Sequence, residues 1–417
     1  MLKVIDLFAG CGGLSLGLEQ AGFTPIFASE INKDALATYL NNRKDKHKHF
    51  ESNEFYCKDI KDLISKPEYL EKTYENLKSA FNFNHGEIDL IAGGPPCQGF
   101  SEIGLRRLYS VDKSELPSNH LFQDMIFLID KLNPKMFLFE NVRGILFSKW
   151  TKEGTNGEIF EDVLKSFRML ENYRVKWSLV YAKDYGVPQN RPRLLLVGIR
   201  KDIPVKNETD DDDAVLGGFL PKPNDIAPSI SELLSDLVDL NYQNGGSTST
   251  YPSSAQNEYQ RSLRFKKDGS GICDVGDPVT EHDYSKHGAK TIEKFNAMLS
   301  DPSLKVPEAY KTKKFNHRVL PAVWGDKGPS ITACSLPEDY VHYCQPRILS
   351  VREWARLQMF PDWYQFAGNR TTGGQRRAGN PREGIFEREV PKYTQIGNAV
   401  PVKLAFEIGK HFKNILL

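Results

Sequence analysis

The chain has 417 residues, enough for more than one ordinary domain and well clear of the size at which core burial is marginal. Hydrophobic residues make up 40% and charged residues 26%, a soluble globular balance, and no apolar run approaches the ~20 residues of a membrane span. The formal net charge of +1 leaves any nucleic-acid face to local clustering of basic side chains.

Residues Met1–Asp6 run straight into a core-like strand, with no charged segment leading an apolar one, so no secretory leader is expected and a cytoplasmic location is. Up to residue 200, apolar β-type runs alternate with helical patterns. Strands are predicted over 3–8, 25–29, 54–57, 88–92, 135–139, 173–181 and 194–199, and helices over 14–21, 33–41, 121–132 and 159–170. Several strands are continuous apolar runs, as expected where both faces are covered. The repetition predicts an α/β fold with a doubly wound, mostly parallel sheet whose functional loops share one edge. After Arg200 the pattern changes. An acidic run at 207–213 and a Gly/Ser/Thr/Gln/Asn-rich stretch at 242–257 predict a separate, irregular domain over 201–346. Helical pattern returns at 350–358 and 402–412. The expected division is a first domain of 1–200 and 347–417 with an insert of 201–346.

The first predicted strand passes through a Gly-rich turn into a helix: Phe8-Ala9-Gly10-Cys11-Gly12-Gly13-Leu14. Such glycines permit a tight turn and close backbone approach to a ligand. The spacing Gly10-x-Gly12-Gly13 is not the dinucleotide fingerprint and favours a cofactor without a pyrophosphate. Glu30 ends the second strand at the offset where a carboxylate accepts ribose hydroxyls. Asp59, after the third strand, suits the exocyclic amine of an adenine, and Phe8 suits stacking on its ring. An adenosyl cofactor is the reading.

Six cysteines stand at 11, 57, 97, 273, 334 and 344, with no CxxC pair and no His pair at zinc spacing, so neither a disulfide framework nor a metal is expected. One is set apart by Gly93-Gly94-Pro95-Pro96-Cys97-Gln98-Gly99, directly after a strand. Two prolines stiffen this loop and present the thiol at a fixed place. Glu140-Asn141-Val142 follows the strand at 135–139, and Gln189-Asn190-Arg191-Pro192-Arg193 enters the strand at 194. Cys, Glu and Arg are the residue types that methylation of cytosine at C5 calls for. A thiolate must add to C6 to make C5 nucleophilic, a protonated carboxyl must relieve charge at N3, and a guanidinium must hold O2.

Taken together, these segments resemble the motif series of the cytosine-C5 DNA methyltransferase family. Asp6–Gly13 resembles its cofactor motif, Pro95-Pro96-Cys97-Gln98 its nucleophile motif, Glu140-Asn141-Val142 its glutamate motif and Gln189-x-Arg191-x-Arg193 its arginine motif. The run Arg347-x-x-Ser350-Val351-Arg352-Glu353-x-Ala355-Arg356-Leu357-Gln358 is similar to the helix before the final motif, and Gly397-Asn398-Ala399-Val400-Pro401 to that motif itself. The resemblance implies an S-adenosylmethionine-dependent, Rossmann-like methyltransferase domain, and in residues 201–346 an inserted target-recognition domain. It implies Cys97 as nucleophile, Glu140 at N3 and Arg193 at the base, with Arg191 structural or phosphate-directed. Phe8, Ala9, Gly10, Gly12, Gly13, Leu14, Glu30, Ile31, Asp59, Ile60, Pro96, Leu121 and Asn398 would form the cofactor site, Ile31 standing where a larger aromatic is common.

A cytosine within a duplex must be flipped out to meet a thiol. The polar stretch 101–119, with Arg106, Arg107 and Lys113, is implied to close over it. Basic clusters at Arg261, Arg264, Lys266 and Lys267, at Lys311, Lys313, Lys314, His317 and Arg318, and at Arg370, Arg376 and Arg377 suit phosphate and groove contacts. The resemblance thus implies double-stranded DNA as partner, a functional pairing with a restriction endonuclease and a monomeric state. The alternatives are a tRNA cytosine-C5 methyltransferase on the same scaffold and a catalytically silent DNA-binding regulator.

Overall fold

The computed structural model describes the chain except for residues 97–116, 224–225, 302, 304, 312–316, 324–328, 332–338 and 372–388. Strand β1 (Leu2–Leu7) ends where Phe8 adopts left-handed backbone, φ 57°, and the turn leads into α1 (Gly13–Ala21). There follow β2 (Phe23–Ser29), α2 (Lys33–Asn41), β3 (Tyr56–Cys57), α3 (Ile60–Ser65), α4 (Pro67–Phe81) and β4 (Leu90–Gly93). Next come α5 (Leu121–Leu132), β5 (Met136–Val142), α6 (Glu158–Arg168), β6 (Tyr173–Tyr181) and β7 (Pro192–Arg200).

These strands form one seven-stranded sheet in the order β3-β2-β1-β4-β5-β7-β6. Pairing is parallel from β3 to β5, while β7 runs antiparallel to both β5 and β6. The winding direction reverses between β1 and β4, which opens a crevice at their carboxyl ends. The Gly-rich turn and the Pro95-Pro96 loop leave from those two neighbouring ends. The doubly wound, mostly parallel sheet expected from the alternating pattern is what the chain forms.

Side chains alternate across the sheet. Ile5 and Leu7 face a core shared with Leu63 of α3, Leu77 of α4, Leu128 of α5 and Val163 of α6. Val4 faces the other core, built with Leu14 and Leu18 of α1 and with Leu404 and Ile408 of α12 (Val402–Leu416). Contact there is close: a Cβ on Gly17 would lie 2.4 Å from the Val402 carbonyl oxygen, so only glycine lets α1 meet α12 at that point.

Beyond the sheet lie α7 (Ile230–Leu234), α8 (Glu258–Leu263), α9 (Ala289–Ser300), β8 (Arg318–Val319), β9 (Tyr340–Val341), α10 (Val351–Arg356) and α11 (Lys392–Asn398). Residues 201–346 are less separate than their composition suggests. Ala214, Phe219, Leu233, Leu263 and Tyr340 are buried in the same core as α1 and α12, and two small clusters, one around Phe295 and one around Tyr251, stand apart from it. A buried ionic cluster ties this segment to α10. Asp236 lies 2.7 Å from Arg264 and 2.5 Å from Arg356, which also meets Asp362 at 2.6 Å, all in the interior. Arg347 and Glu353 pair at 2.6 Å, and Glu353 completes a capping box with Ser350 at the start of α10. Among the described residues, no helix is long and apolar enough to cross a membrane.

Candidate active site

At the end of β1 the turn is shaped by left-handed backbone at Phe8, Gly10 and Gly12. The Ala9 N–H donates to the Ser29 carbonyl (2.9 Å), stitching the turn to the end of β2. Glu30 receives the Gly10 N–H at 2.8 Å and the Asn32 N–H at 2.7 Å. Burial raises its carboxyl above the ordinary range, against the lowering effect of those two donors. A Cβ on Gly10 would meet nothing within 4 Å, whereas one on Gly12 would strike Arg43 and Tyr364. One side of the turn is therefore open and the other is packed.

Ile31, next to Glu30, is 71% exposed despite being a large aliphatic residue, and Asn398 is exposed at the end of α11, just before Ala399 and Val400, which pack against Gly13. Asp59 caps α3 by accepting the Lys61 N–H at 2.9 Å, and Ile60 is buried behind it. Ala9 and Leu14 are buried, Leu121 packs against the core under α5, and Pro96 is exposed. The open glycine, a carboxylate at a strand end, an exposed aliphatic side chain and an exposed amide fit an adenosyl group with an amino-acid tail.

The second half of the site comes from β4, β5 and β7. Glu140 of β5 and Arg193 of β7 lie on one face of the sheet, diagonal across the register that pairs Glu140 with Leu195 and Val142 with Arg193. The Arg193 Nε is 2.5 Å from Glu140 Oε1, and both side chains are largely buried. Gly94 makes room for this pair, since a Cβ there would lie 2.6 Å from Glu140 Oε2. Asn141 donates to the Pro95 carbonyl at 3.4 Å and accepts the Val142 N–H at 2.8 Å, linking the Pro95-Pro96 loop to β5. Cys97 itself lies outside the described residues. Of the other cysteines, burial pushes the Cys11 and Cys57 thiols up to about 12 and raises Cys273 and Cys344 as well; Cys334 is outside the described residues.

Arg191 is buried, and its guanidinium donates to the carbonyls of Ile331, Gly397 (2.6 Å) and Ala399 (3.1 Å). It clasps the residue before β7 to the end of α11 and to Ala399 after it.

The basic clusters divide. Arg264 is fully buried with Asp236, which corrects its assignment as a phosphate contact. Lys267 reaches Asp45 at 2.8 Å and Lys266 approaches Asp277 at 3.8 Å, while Arg261 and Lys311 pair with Glu258 and Glu308 one helical turn away. His317 accepts from Lys294 (2.9 Å), Arg318 is exposed, and Arg370 donates to Ser285 (2.8 Å). Arg106, Arg107, Lys113, Lys313, Lys314, Arg376 and Arg377 lie outside the described residues. Sequence reasoning passed over Gly94 and Asn141 as site residues although both sit inside quoted motifs, and it passed over Arg43 and Tyr364, which no motif marks.

A family model described as C-5 cytosine-specific DNA methylase matches residues 2–414. The chain belongs to this family. Its relatives include Type II methyltransferase M.DdeI of Desulfomicrobium norvegicum, 30% identical over 100% of this chain and 90% of its own length. Type II methyltransferase M.XorII of Xanthomonas oryzae pv. oryzae is 31% identical over 97% of this chain and 83% of its own. Among solved structures, a prophage-encoded DNA modification methyltransferase (E. coli) superposes with a TM-score of 0.66 at 26% identity, covering 100% of this chain and 99% of the other. Spodoptera frugiperda DNMT2, at 18% identity and a TM-score of 0.50 over 99% and 100% of the two chains, shares the fold. The methylase is thus a cytosine-C5 DNA methyltransferase whose strand-end turn and Glu140–Arg193 pair occupy the same sheet edge.

Proposed function

We propose that this methylase transfers a methyl group from S-adenosylmethionine to C5 of a cytosine flipped out of a short duplex DNA site, with Cys97 as covalent nucleophile. The observation that carries the reading is the Glu140–Arg193 pair, tied through Asn141 and Pro95 to the loop that runs directly into Cys97. The Cys97 thiolate forms a bond to C6, and the C5–C6 π electrons move toward C5. Glu140 holds a proton at N3 as charge gathers there, and Arg193 donates to O2, keeping the ring in plane. The bound cofactor supplies an electrophilic methyl group for C5. A base then takes the C5 proton, its electron pair restores the C5–C6 double bond, and the Cys97 sulfur departs as thiolate. Phe8, Glu30, Ile31, Asp59, Ile60, Leu121 and Asn398 would hold the adenosine and the amino-acid tail.

Residues 1–200 and 347–417 form the proposed catalytic part, and 201–346 the proposed target-recognition part. The relatives' designation as Type II methyltransferases supports a modification enzyme that protects DNA from a partner restriction endonuclease, and a cytoplasmic, monomeric form is part of the same proposal. The test is covalent trapping on duplex DNA carrying 5-fluorocytosine, where elimination is blocked. A stable adduct, lost in Cys97→Ser, is expected. An adduct that survives Cys97→Ser would overturn the mechanism, and label transferred only to tRNA in a parallel assay would overturn the substrate. Bisulfite sequencing of DNA from cells making the protein then reads out the methylated site.

A further inference from the structure

A turn with three glycines has little intrinsic stiffness, since each samples both signs of φ. Something must hold its shape if its open side is to meet a ligand in one conformation. The packed side of the turn shows what does. Arg43, at the end of α2 and 2% exposed, donates through Nη2 to the Gly12 carbonyl (3.1 Å) and through Nη1 to the Tyr364 hydroxyl (2.9 Å). That hydroxyl donates to the Cys11 carbonyl at 2.6 Å. The guanidinium is fixed in turn by Glu19, 2.6 Å from its Nε, and lies over the Tyr39 ring at 3.8 Å. Glu19 also meets His47 at 3.0 Å, and Tyr39 exchanges a 2.8 Å hydrogen bond with Ser15 on α1. Two successive carbonyls of the turn are therefore gripped from behind by one buried cation and one phenol, drawn from segments more than 300 residues apart in sequence.

We propose that Arg43 and Tyr364 are positioning residues for the cofactor turn: they set its backbone so that the Gly10 side is presented ready for the adenosyl ligand. This rests on the S-adenosylmethionine reading above. A binding site populated only part of the time loses apparent affinity in proportion to that fraction, so slackening the turn weakens cofactor binding while the Glu140–Arg193 pair keeps its place. Tyr364→Phe removes a single oxygen from a fully buried ring, leaving the packing in place. It is expected to raise the Kd for S-adenosylmethionine, measured by calorimetry, about tenfold, with kcat at saturating cofactor falling less than threefold and the melting temperature of the free protein within a few degrees of wild type. Arg43→Lys keeps the charge but not the two-pronged grip, and is expected to weaken binding at least as much. Cofactor affinity within twofold of wild type in Tyr364→Phe would overturn the proposal, as would a loss of kcat at saturation as large as the loss of affinity. A wild-type chain that binds no cofactor would overturn the S-adenosylmethionine reading as well, whereas wild-type and Tyr364→Phe chains binding equally well would overturn only this inference.

Discussion

Glu140 and Arg193 meet at 2.5 Å, each the other's nearest opposite charge in a largely dry setting. In the proposed mechanism a base arriving between them would exchange that contact for its own N3 and O2. Glu140→Gln keeps the shape and removes the proton that can be shared with N3. A fall in kcat of about 10²–10⁴-fold is expected, with little change in cofactor affinity, and kinetics under cofactor saturation would read it. The other thiols give a complementary test. Cys11 and Cys57 are buried and pushed up to about 12 by their surroundings, so the thiolate is scarce at neutral pH. In the native protein at pH 8 both should escape iodoacetamide, as peptide mass spectrometry can show. Labelling at the rate found in urea would contradict their placement.

At the scale of elements, the ionic cluster around Asp236 is the joint between α10 and residues 201–346. Its carboxylate stands between two interior guanidiniums, so Asp236→Ala takes from Arg264 its carboxylate partner and leaves Arg356 with Asp362 alone. A loss of about 3–5 kcal/mol in urea unfolding is expected, far above a typical surface substitution. This joint also shows where the sequence stops being legible. The strands were readable because burial on both faces writes an uninterrupted apolar run, as in Leu194–Val197, and the helices α2 and α5 because their apolar stripes are dense. Helix α4 was not, since only Thr73 and Leu77 of its fifteen residues are buried and its other apolar residues are only partly covered. Helix α9 hides likewise in turn-rich surroundings, with Phe295 and Met298 its main anchors. Arg264 looked like its basic neighbours because its partner is 28 positions away, a distance no local pattern can span. The proposed catalytic set stands out for the opposite reason: stiff Pro-Pro and Gly-rich loops leave a local signature. The buttress of Arg43 and Tyr364 leaves none, being made only by the fold.

For the whole molecule, buried histidines weaken folding as pH falls below their ordinary value, while the buried Asp6 carboxyl, raised to about 7, acts the other way. Burial holds His342 down at about 4, with the neighbouring Arg347 adding to the effect, so this ring is neutral when folded and takes a proton on unfolding below its ordinary 6.5. Because the unfolded chain binds more protons in that window, its contribution is intact above pH 6.5 and is lost as pH falls toward 4. The difference in unfolding free energy between wild type and His342→Gln should shift against the wild type from pH 7 to 4, the titration of Asp6 and the other histidines cancelling; an unchanging difference would contradict the burial of His342. Duplex affinity should be sensitive to salt instead. With a net charge of only +1, attraction must come from local contacts with phosphates. A drop of roughly 10³-fold between 50 and 200 mM salt is expected for about six such contacts, read by fluorescence anisotropy, with cofactor affinity nearly unchanged.

The seat of Gly17 against the Val402 carbonyl has a bearing on how the protein is born. Helix α1 is synthesised well before α12, yet each is the other's packing surface. A nascent chain can pair β1 with β2 and β4 early, but the back wall of its Gly-rich turn is complete only when residues 364 and 402–412 have been synthesised. Folding of the site must in this sense wait for α12, and chains stalled short of it leave the apolar face of α1 open to chaperones.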